Sequence, residues 1–318
     1  MKQLTKALLL AILAALLALS AGCGGKPNTP ASSPAAKLKV VASIYPVYEF
    51  ARQVGGDKID ITLLVPPGAE PHDWEPTAKE IVAIKAAKLF LYHGNGFENL
   101  DKLLAPETLG ATKALAVSKD IPVLKPEAAD DHDDHKEAGH KHHDHIDAHT
   151  WLDPVIAQQE VAAIAAAMAA ADPANADYYR QNAASYSAEL AKLDQEYKTV
   201  LAGLPRRDIV TSHAAFGYLA ARYGLRQLPI MGLTPDSEPT PEKMAAIVKF
   251  CREHKVKYIF FETIVSPRLA ETIARETGAG LLVLNPVENL TLDEMKQGKG
   301  YLSLMRDNLA SLKMALSQ

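Results

Sequence analysis

The chain is poor in cysteine: Cys23 and Cys251 are the only two among its 318 residues. If Cys23 carries a lipid, no intramolecular disulfide can form, and the mature chain must be stabilised by its core alone. An excess of either charge is also lacking, because the formal net charge is −4 and both signs are dispersed. This balance argues against a nucleic-acid partner, which selects a basic surface.

Two motifs that would indicate an enzyme are absent as well. The sequence contains no GxxxxGK[ST] loop, so the chain itself has no P-loop for ATP hydrolysis. It contains no HExxH, the motif that supplies two zinc ligands and a general base in many metallohydrolases. We therefore expect a protein that is not an enzyme. A metal site whose fourth position is water would leave zinc hydrolysis as a minor alternative.

The first 22 residues have the pattern of a secretory signal. Lys2 and Lys6 precede the apolar run 7–19, which is too short to span a bilayer comfortably. Small residues then lead to Cys23, as in a bacterial lipobox, although Ser20 stands where that motif usually has an aliphatic residue. The pattern predicts lipidation of Cys23; the alternative is simple cleavage and release.

Residues 23–37 are rich in Gly, Pro and Ser, which is typical of a flexible tether. A lipid on Cys23 would hold the following domains at the outer face of the cell membrane. We therefore expect an extracytoplasmic protein that is anchored to the membrane by lipid.

Histidine, in contrast, is concentrated in one segment: seven of the 11 histidines fall between His132 and His149. Segment 127–148 interleaves them with acids and has no aliphatic run, so it cannot fold by burying apolar surface. Clustered imidazoles in such a segment favour capture of a transition metal, whereas an expression tag would be uninterrupted and terminal. Six of them form a predicted low-affinity metal loop: His132, His135, His140, His142, His143 and His145.

The rest of the chain alternates strand-like and helix-like segments. Apolar runs predict buried strands at 39–44, 59–65, 88–92, 208–212, 228–231, 257–261 and 281–284. Helical patterns lie between them, near 46–55, 76–87, 214–223, 241–254, 267–277 and 300–316. This alternation predicts an α/β fold with mainly parallel β-sheets flanked by helices, divided into an N-terminal lobe (38–171) and a C-terminal lobe (205–318).

The segment between the lobes, 172–204, predicts one long helix. Asp172-Pro173 is a strong helix start, and no Gly or Pro follows before Gly203. Apolar or aromatic residues recur at spacings of four and three along it: Tyr179, Ala183, Tyr186, Leu190, Leu193, Tyr197 and Val200. A helix of this length can join two lobes as a rigid connection.

Four polar residues follow predicted strands or precede predicted helices. His72 lies in a turn fixed by prolines after the second strand, and His149 lies just before the helix that begins at Asp153-Pro154. His213 follows the strand at 208–212, and Glu288 follows the last strand. Open α/β sheets bind ligands at such strand ends. Three imidazoles and a carboxylate suit tetrahedral Zn²⁺, but their wide spacing is by itself a weak signal.

The chain resembles the ZnuA/TroA-type solute-binding lipoproteins of bacterial metal ABC importers over residues 38–316. The motifs that carry the resemblance are PPGAEPHDWEPT, HTWLDP, TSHAAFGYLAARYGL, FFETIVSPRLAETIARETG and VLNPVENLT. It implies two pseudo-symmetric α/β lobes joined by one long rigid helix, with one metal in the interlobe cleft.

The resemblance also implies the metal ligands His72, His149, His213 and Glu288, with water or another acid as alternatives at the fourth position. Relatives that bind manganese tend to have Glu in place of His213 and Asp in place of Glu288, so the pattern favours zinc; imidazole in place of oxygen favours it too. Glu70, Asp73 and Glu262 are candidates to orient the imidazole rings.

These observations together predict high-affinity extracytoplasmic Zn²⁺ binding and delivery to the permease and ATPase subunits of an ABC importer. We expect a monomer with one tight zinc site and additional weak sites in the histidine-rich loop. A manganese- or iron-binding protein of the same transporter family is the main alternative. A surface adhesin with the same fold is another.

Overall fold

The first half of the chain forms a four-stranded parallel sheet. In the computed structural model, residues 36–124, 146–235 and 238–318 are described. The strands of the first sheet are β1 (Leu38–Ala42), β2 (Ile59–Leu63), β3 (Leu89–Tyr92) and β4 (Lys113–Ala116). Their order is β2-β1-β3-β4. The helices between these strands are α1 (Tyr45–Gly55), α2 (Ala78–Ala86) and α3 (Pro106–Leu109).

The second half repeats this topology. Its strands are β5 (Asp208–Thr211), β6 (Arg226–Pro229), β7 (Tyr258–Phe261) and β8 (Gly280–Val283), in the order β6-β5-β7-β8. All pairs in both sheets are parallel. The same strand order in both sheets confirms the predicted α/β fold with two pseudo-symmetric halves.

Among the described residues, two helices lie between the two sheets, and five more follow the first strand of the second sheet. The first two are α4 (Pro154–Ala171) and α5 (Ala176–Ala202). The others are α6 (Gly217–Tyr223), α7 (Pro241–Glu253), α8 (Arg268–Thr277), α9 (Leu292–Lys296) and α10 (Tyr301–Leu316).

Two strands differ most from the sequence-based prediction, and the ends of the other six are shifted by at most two residues. Strand β4 was not predicted, because two of its four residues are exposed and the other two half-buried, so it has no buried apolar run. Strand β6 begins at Arg226 rather than at Leu228, and Arg226 is exposed. Both are edge strands of their sheets. An edge strand is paired on one side only, so its residues need not all be apolar.

The long helix is shorter than predicted. Helix α5 has 27 residues and begins at Ala176, after a 3₁₀ turn at Pro173–Asn175. The Asp172 carboxylate accepts from Asn175 Nδ2 and from the Tyr179 hydroxyl, both at 2.7 Å, so it holds the turn rather than capping α5. The helix still spans about 40 Å at 1.5 Å per residue. Its buried stripe follows the predicted positions except at the end, where Leu201 is buried instead of Val200.

Helix α5 packs against helices from both halves. Asn182 Nδ2 donates to Val54 O of α1 at 3.0 Å. The Tyr197 hydroxyl donates to Met305 O of α10 at 2.6 Å, and the Tyr197 ring stacks on Tyr223 of α6 with the centroids 4.9 Å apart. One hydrophobic core therefore includes α1, α4, α5, α6 and α10.

Two apolar features belong to the core rather than to a membrane or a reactive site. Helix α4 is long and apolar enough to span a membrane by length and composition, but Val161, Ile164 and Met168 are fully buried in the protein. Cys251 of α7 is 1% exposed in a second apolar cluster beneath the second sheet.

The N-terminal predictions and the low-affinity loop fall outside the described residues. These are the signal at 1–22, the lipidation of Cys23, most of the tether and the six loop histidines His132, His135, His140, His142, His143 and His145. At the far end of the predicted loop 127–148, residues 146–148 are described. Asp147 and Ala148 are buried there.

Candidate metal centre

His72 lies on the loop that leaves the carboxyl end of β2. Gly68 has φ +82°, a conformation that an L side chain rarely adopts, and it turns the chain back towards the second half. The backbone N–H of His72 donates to Glu70 Oε1 at 3.1 Å. The side chain of His72 is buried, with its ring centroid 4.4 Å from that of Phe97.

His149 is fixed by a carboxylate two residues earlier. Asp147 Oδ1 accepts from both the backbone N–H and the ring Nδ1 of His149, each at 2.9 Å. A single antiparallel bridge to Leu124 holds Asp147 in turn. Because Nδ1 faces a carboxylate, the proton of the neutral ring lies on Nδ1 and the Nε2 lone pair is free to bind a metal.

His213 is fixed in the same way at the end of β5. Glu262, which follows β7, accepts from the backbone N–H of His213 at 3.2 Å, and its Oε1 lies 2.7 Å from Nδ1. The carbonyl oxygen of His213 accepts from Thr211 Oγ1 at 2.8 Å and from Gln227 Nε2 at 2.9 Å. The Nε2 of this ring therefore also points away from its carboxylate partner.

Glu288 follows β8 through a strained turn. Val287 has φ +59°, which is rare for a β-branched residue and costs free energy. Three hydrogen bonds hold this turn. Asn285 Oδ1 accepts from Val287 N at 2.7 Å, Pro286 O accepts from Trp151 Nε1 at 2.8 Å, and Glu288 O accepts from Tyr45 N at 3.3 Å.

The four predicted ligands meet at one point, with one ligand atom from each within 4.8 Å of the others. Glu288 Oε1 lies 3.7 Å from His72 Nε2, 3.1 Å from His149 Nε2 and 3.2 Å from His213 Nε2. The Nε2 atoms of His149 and His213 are 3.5 Å apart. Bonds of about 2.0–2.2 Å to a tetrahedral ion would place neighbouring donors about 3.3–3.6 Å apart, which matches these separations.

Two of these donor atoms have no hydrogen-bond partner among the described residues. His72 Nε2 and Glu288 Oε1 are both buried and unpartnered. A buried polar atom left without a partner is costly, and a bound cation would satisfy both. The donor set thus fits a divalent metal ion.

At the centre, burial and neighbouring charges shift the pKa values of the candidate ligands in opposite directions. Burial alone lowers the pKa of His149, but its bonds to Asp147 and Glu288 raise that pKa above the ordinary value. Burial also lowers the pKa of His213, yet the charge of Glu262 and contact with Glu288 raise it well above the ordinary value. Burial raises the pKa of Glu288, but the charge of His72 and the contacts with His149 and His213 hold it well below its usual range.

Glu70 lies beside the centre without joining it. Burial and the negative charge of Glu288 raise the pKa of Glu70 to about 7. Its Oε1 accepts from the backbone N–H of His72. Glu70 thus supports the His72 loop through the backbone, whereas Asp73, another candidate to orient a ring, is exposed.

A cavity lined by polar and apolar residues of both halves lies beside the centre. It has a volume of about 820 Å³ and reaches His72 and His149. Tyr92, Asn95 and Asp101 also line it. A hydrated ion can therefore approach the two histidines from this side.

The sequence predicted one of the two carboxylates that orient the rings and missed the other. Glu262 was among the candidates. Asp147 was counted only as one of many acids in the histidine-rich segment. The signal that could have identified it is its spacing, because a short acidic side chain two residues before a histidine can accept from that residue's backbone N–H.

Comparison with known proteins gives a consistent result. The model of the family described as zinc-uptake complex component A, periplasmic (ZnuA), matches residues 40–315. The high-affinity zinc uptake system protein ZnuA of Bacillus subtilis (strain 168) is 41% identical over 308 residues, which is 96% of each chain. The zinc-binding lipoprotein AdcA of Streptococcus pneumoniae is 38% identical over 89% of this chain, which spans only 56% of the length of AdcA.

Solved structures of related proteins have the same fold as this chain. The Zn(II)-bound ZnuA-like domain of Streptococcus pneumoniae AdcA is 37% identical with a TM-score of 0.74, and the match covers 89% of this chain and 100% of that domain. The laminin-binding protein Lmb of Streptococcus agalactiae is described as bifunctional, with adhesin and metal-transporting activity. It is 34% identical with a TM-score of 0.76 over 88% of this chain and 99% of Lmb.

Proposed function

Because this chain belongs to the ZnuA family of zinc-uptake components, we propose that it binds Zn²⁺ outside the cytoplasm and delivers the ion to an ABC importer. Zinc is then the cargo, and the protein acts by binding and release. Its partners are the permease and ATPase subunits of that importer, and the chain works as a monomer.

The observation that carries this proposal is the convergence of His72, His149, His213 and Glu288 on one point. Three imidazole nitrogens and one carboxylate oxygen form a donor set that zinc prefers, whereas manganese prefers more oxygen ligands. Carboxylates at Nδ1 of two rings fix the tautomer that presents Nε2 to the ion. Manganese or iron as the cargo remains the alternative.

Binding exchanges the water shell of the ion for these four donors. A positively charged imidazole must lose its Nε2 proton before it can bind the ion, so uptake of zinc by protonated rings releases protons and depends on pH. Helix α5 packs against α1, α6 and α10. We therefore expect release to involve small shifts of the ligand loops rather than a wide hinge motion.

The N-terminus and the histidine-rich segment complete the proposal. Residues 1–22 direct export, and a lipid on Cys23 anchors the protein by the tether 23–37. The histidine-rich segment raises the local metal concentration through weak sites. Deletion of residues 128–144 should leave the tight site intact, because Asp147 and its bridge to Leu124 are retained.

A second candidate role is surface adhesion, favoured by the structural similarity to the bifunctional Lmb. We expect adhesion to be independent of the four buried donors, so replacing them should separate the two roles. Binding to immobilised laminin that persists after the ligands are replaced would indicate adhesion.

A zinc titration with a competing chelator tests the proposal. His213→Ala should weaken zinc affinity by more than about 100-fold, because loss of an outer contact alone costs about 10–100-fold. The matched control is His254→Ala, whose side chain is 41% exposed beyond the end of α7. Undiminished tight binding after joint replacement of His72, His149 and His213 would exclude this site.

The identity of the ion needs a separate measurement. Anomalous scattering at the zinc edge, from crystals of protein purified without added metal, locates zinc and its donors together. Manganese or iron at the centre would favour the alternative cargo.

A further inference from the structure

Asn289, the residue after Glu288, ties the Glu288 loop to the first half of the chain. Its Nδ2 donates to Pro66 O at 2.8 Å and to Ala69 O at 2.9 Å. Its Oδ1 accepts from Leu290 N at 2.8 Å. The residue is 1% exposed, so the whole carboxamide is satisfied inside the protein.

The two acceptors lie in the turn that leads from β2 to His72. Pro66 and Ala69 flank Gly68, and the N–H of Gly68 donates to Leu290 O at 2.8 Å. The turn is therefore closed around the side chain of Asn289 by three hydrogen bonds, two donated by Asn289 and one accepted by Leu290 O. His72 follows three residues after Ala69.

His72 is held differently from the other two histidines. Carboxylates fix the rings of His149 and His213 at Nδ1, at 2.9 Å and 2.7 Å. His72 instead has a backbone bond to Glu70 and packing of its ring on Phe97, and no carboxylate among the described residues is hydrogen-bonded to its Nδ1. The position of its ring therefore depends on the position of its loop.

We propose that Asn289 is a positioning residue for zinc, which locks the His72 turn against the Glu288 loop so that these two ligands form one preorganised pair. The inference rests on the proposed zinc-binding function and deepens it. Without the hydrogen bonds of Asn289, zinc binding would have to order the His72 loop. The free energy needed for this ordering would weaken the zinc affinity. His72 Nε2 and Glu288 Oε1 are already 3.7 Å apart.

The test compares zinc affinity and cobalt spectra of Asn289 variants. Asn289→Asp has the same shape but turns the two N–H donors into an oxygen that faces two carbonyl oxygens. Asn289→Ala removes the donors without adding charge and is measured in parallel. The matched control is Asn182→Asp, because Asn182 Nδ2 donates to a single carbonyl, Val54 O, between α5 and α1.

The expected result is a loss of zinc affinity of about 10–100-fold in both Asn289 variants, the range for contacts outside the ligands. The visible absorption of bound Co²⁺ should weaken, because a displaced His72 makes the tetrahedral site irregular. Hydrogen exchange at residues 66–72 should become faster. Asn182→Asp should change none of these readouts.

A double-mutant cycle separates positioning from general damage to the fold. In a His72→Ala background there is no ring to position, so Asn289→Ala should have little further effect on zinc affinity. An equal loss in both backgrounds, wild-type affinity in both Asn289 variants, or loss of the folded state in both would overturn the proposal. Absence of tight zinc binding in the wild type would instead refute the proposed function.

Discussion

Glu262 Oε1 lies 2.7 Å from Nδ1 of His213, while Nε2 of the same ring lies 3.2 Å from Glu288 Oε1. The imidazole is thus held between two carboxylates that follow neighbouring strands, β7 and β8. Glu262 fixes the ring and its tautomer, and Glu288 faces the proposed metal position together with Nε2 of the ring. The division of roles follows from which ring nitrogen each carboxylate faces.

Replacement of Glu262 should weaken zinc binding without removing a ligand. Glu262→Ala leaves Nδ1 of His213 without its acceptor, so the ring loses both orientation and basicity, and we expect a loss of about 10–100-fold in affinity. Glu262→Gln keeps an acceptor oxygen and should lose less. The measurement is competition with a chelator, with the exposed Glu196→Gln as control. Equal affinities for all three variants would contradict this role.

Zinc affinity should fall on acidification from a pH above 6.5. The carboxylates beside His149 and His213 overcome the effect of burial and raise the pKa of each ring above the ordinary value. Protons therefore compete with zinc already near neutral pH, and affinity rises as pH increases through the raised values. Asp147→Asn should move the onset for His149 to lower pH, because it removes the negative charge of the carboxylate that is hydrogen-bonded to Nδ1 of that ring. A dependence that begins only below pH 6.5 in the wild type would contradict the geometry.

The buried acid Glu160 of α4 should make the metal-free protein less stable as pH rises. Burial raises the pKa of Glu160 from 4.5 to about 8, although Thr150 Oγ1 donates to its Oε1 at 2.5 Å. Between these values the folded state holds a proton that the unfolded state has released. The free energy of unfolding therefore falls as pH rises from 4.5 to about 8, at roughly 1.4 kcal/mol per pH unit, and levels off above.

Glu160→Gln should remove this decline, since an amide does not ionise. Urea unfolding of the metal-free protein at several pH values would show the change. The control is Glu253→Gln, which replaces an acid whose side chain is 60% exposed at the end of α7. A decline with pH that persists in Glu160→Gln would show that another group is responsible.

Trp151 should support both stability and the Glu288 turn. It is fully buried, and its Nε1 donates to Pro286 O at 2.8 Å. Trp151→Phe leaves that carbonyl without its donor, which costs about 1–3 kcal/mol of unfolding free energy, and the turn that positions Glu288 becomes looser. Thermal unfolding and zinc competition should both report a loss. The control Trp74→Phe changes a half-buried ring and should cost less.

The candidate site residues could be predicted from the sequence more completely than the bounds of the strands and helices. His72, His213 and Glu288 each follow a predicted strand, where open α/β sheets bind ligands, so each was a candidate ligand. That the ends of two different sheets meet did not follow from this rule. His149 was a candidate because it precedes a predicted helix, and the family resemblance then implied that these four residues are the ligands. The edge strand β4 and the true start of α5 at Ala176 could not be predicted in the same way. An edge strand needs no buried run, and Asp172 looks like a helix cap until the bond from Tyr179 is seen.

By itself the sequence determined the fold class and the long helix, because these depend on local patterns, and the family resemblance implied the four candidate donors. Only the tertiary structure decided which groups hold the donors in place. Asp147 had to be distinguished from neighbouring acids by its bond to His149. Asn289 reaches a turn 223 residues earlier in the chain. Such contacts join loops that approach each other only after both sheets and α5 have packed, so no periodicity or spacing in the chain specifies them.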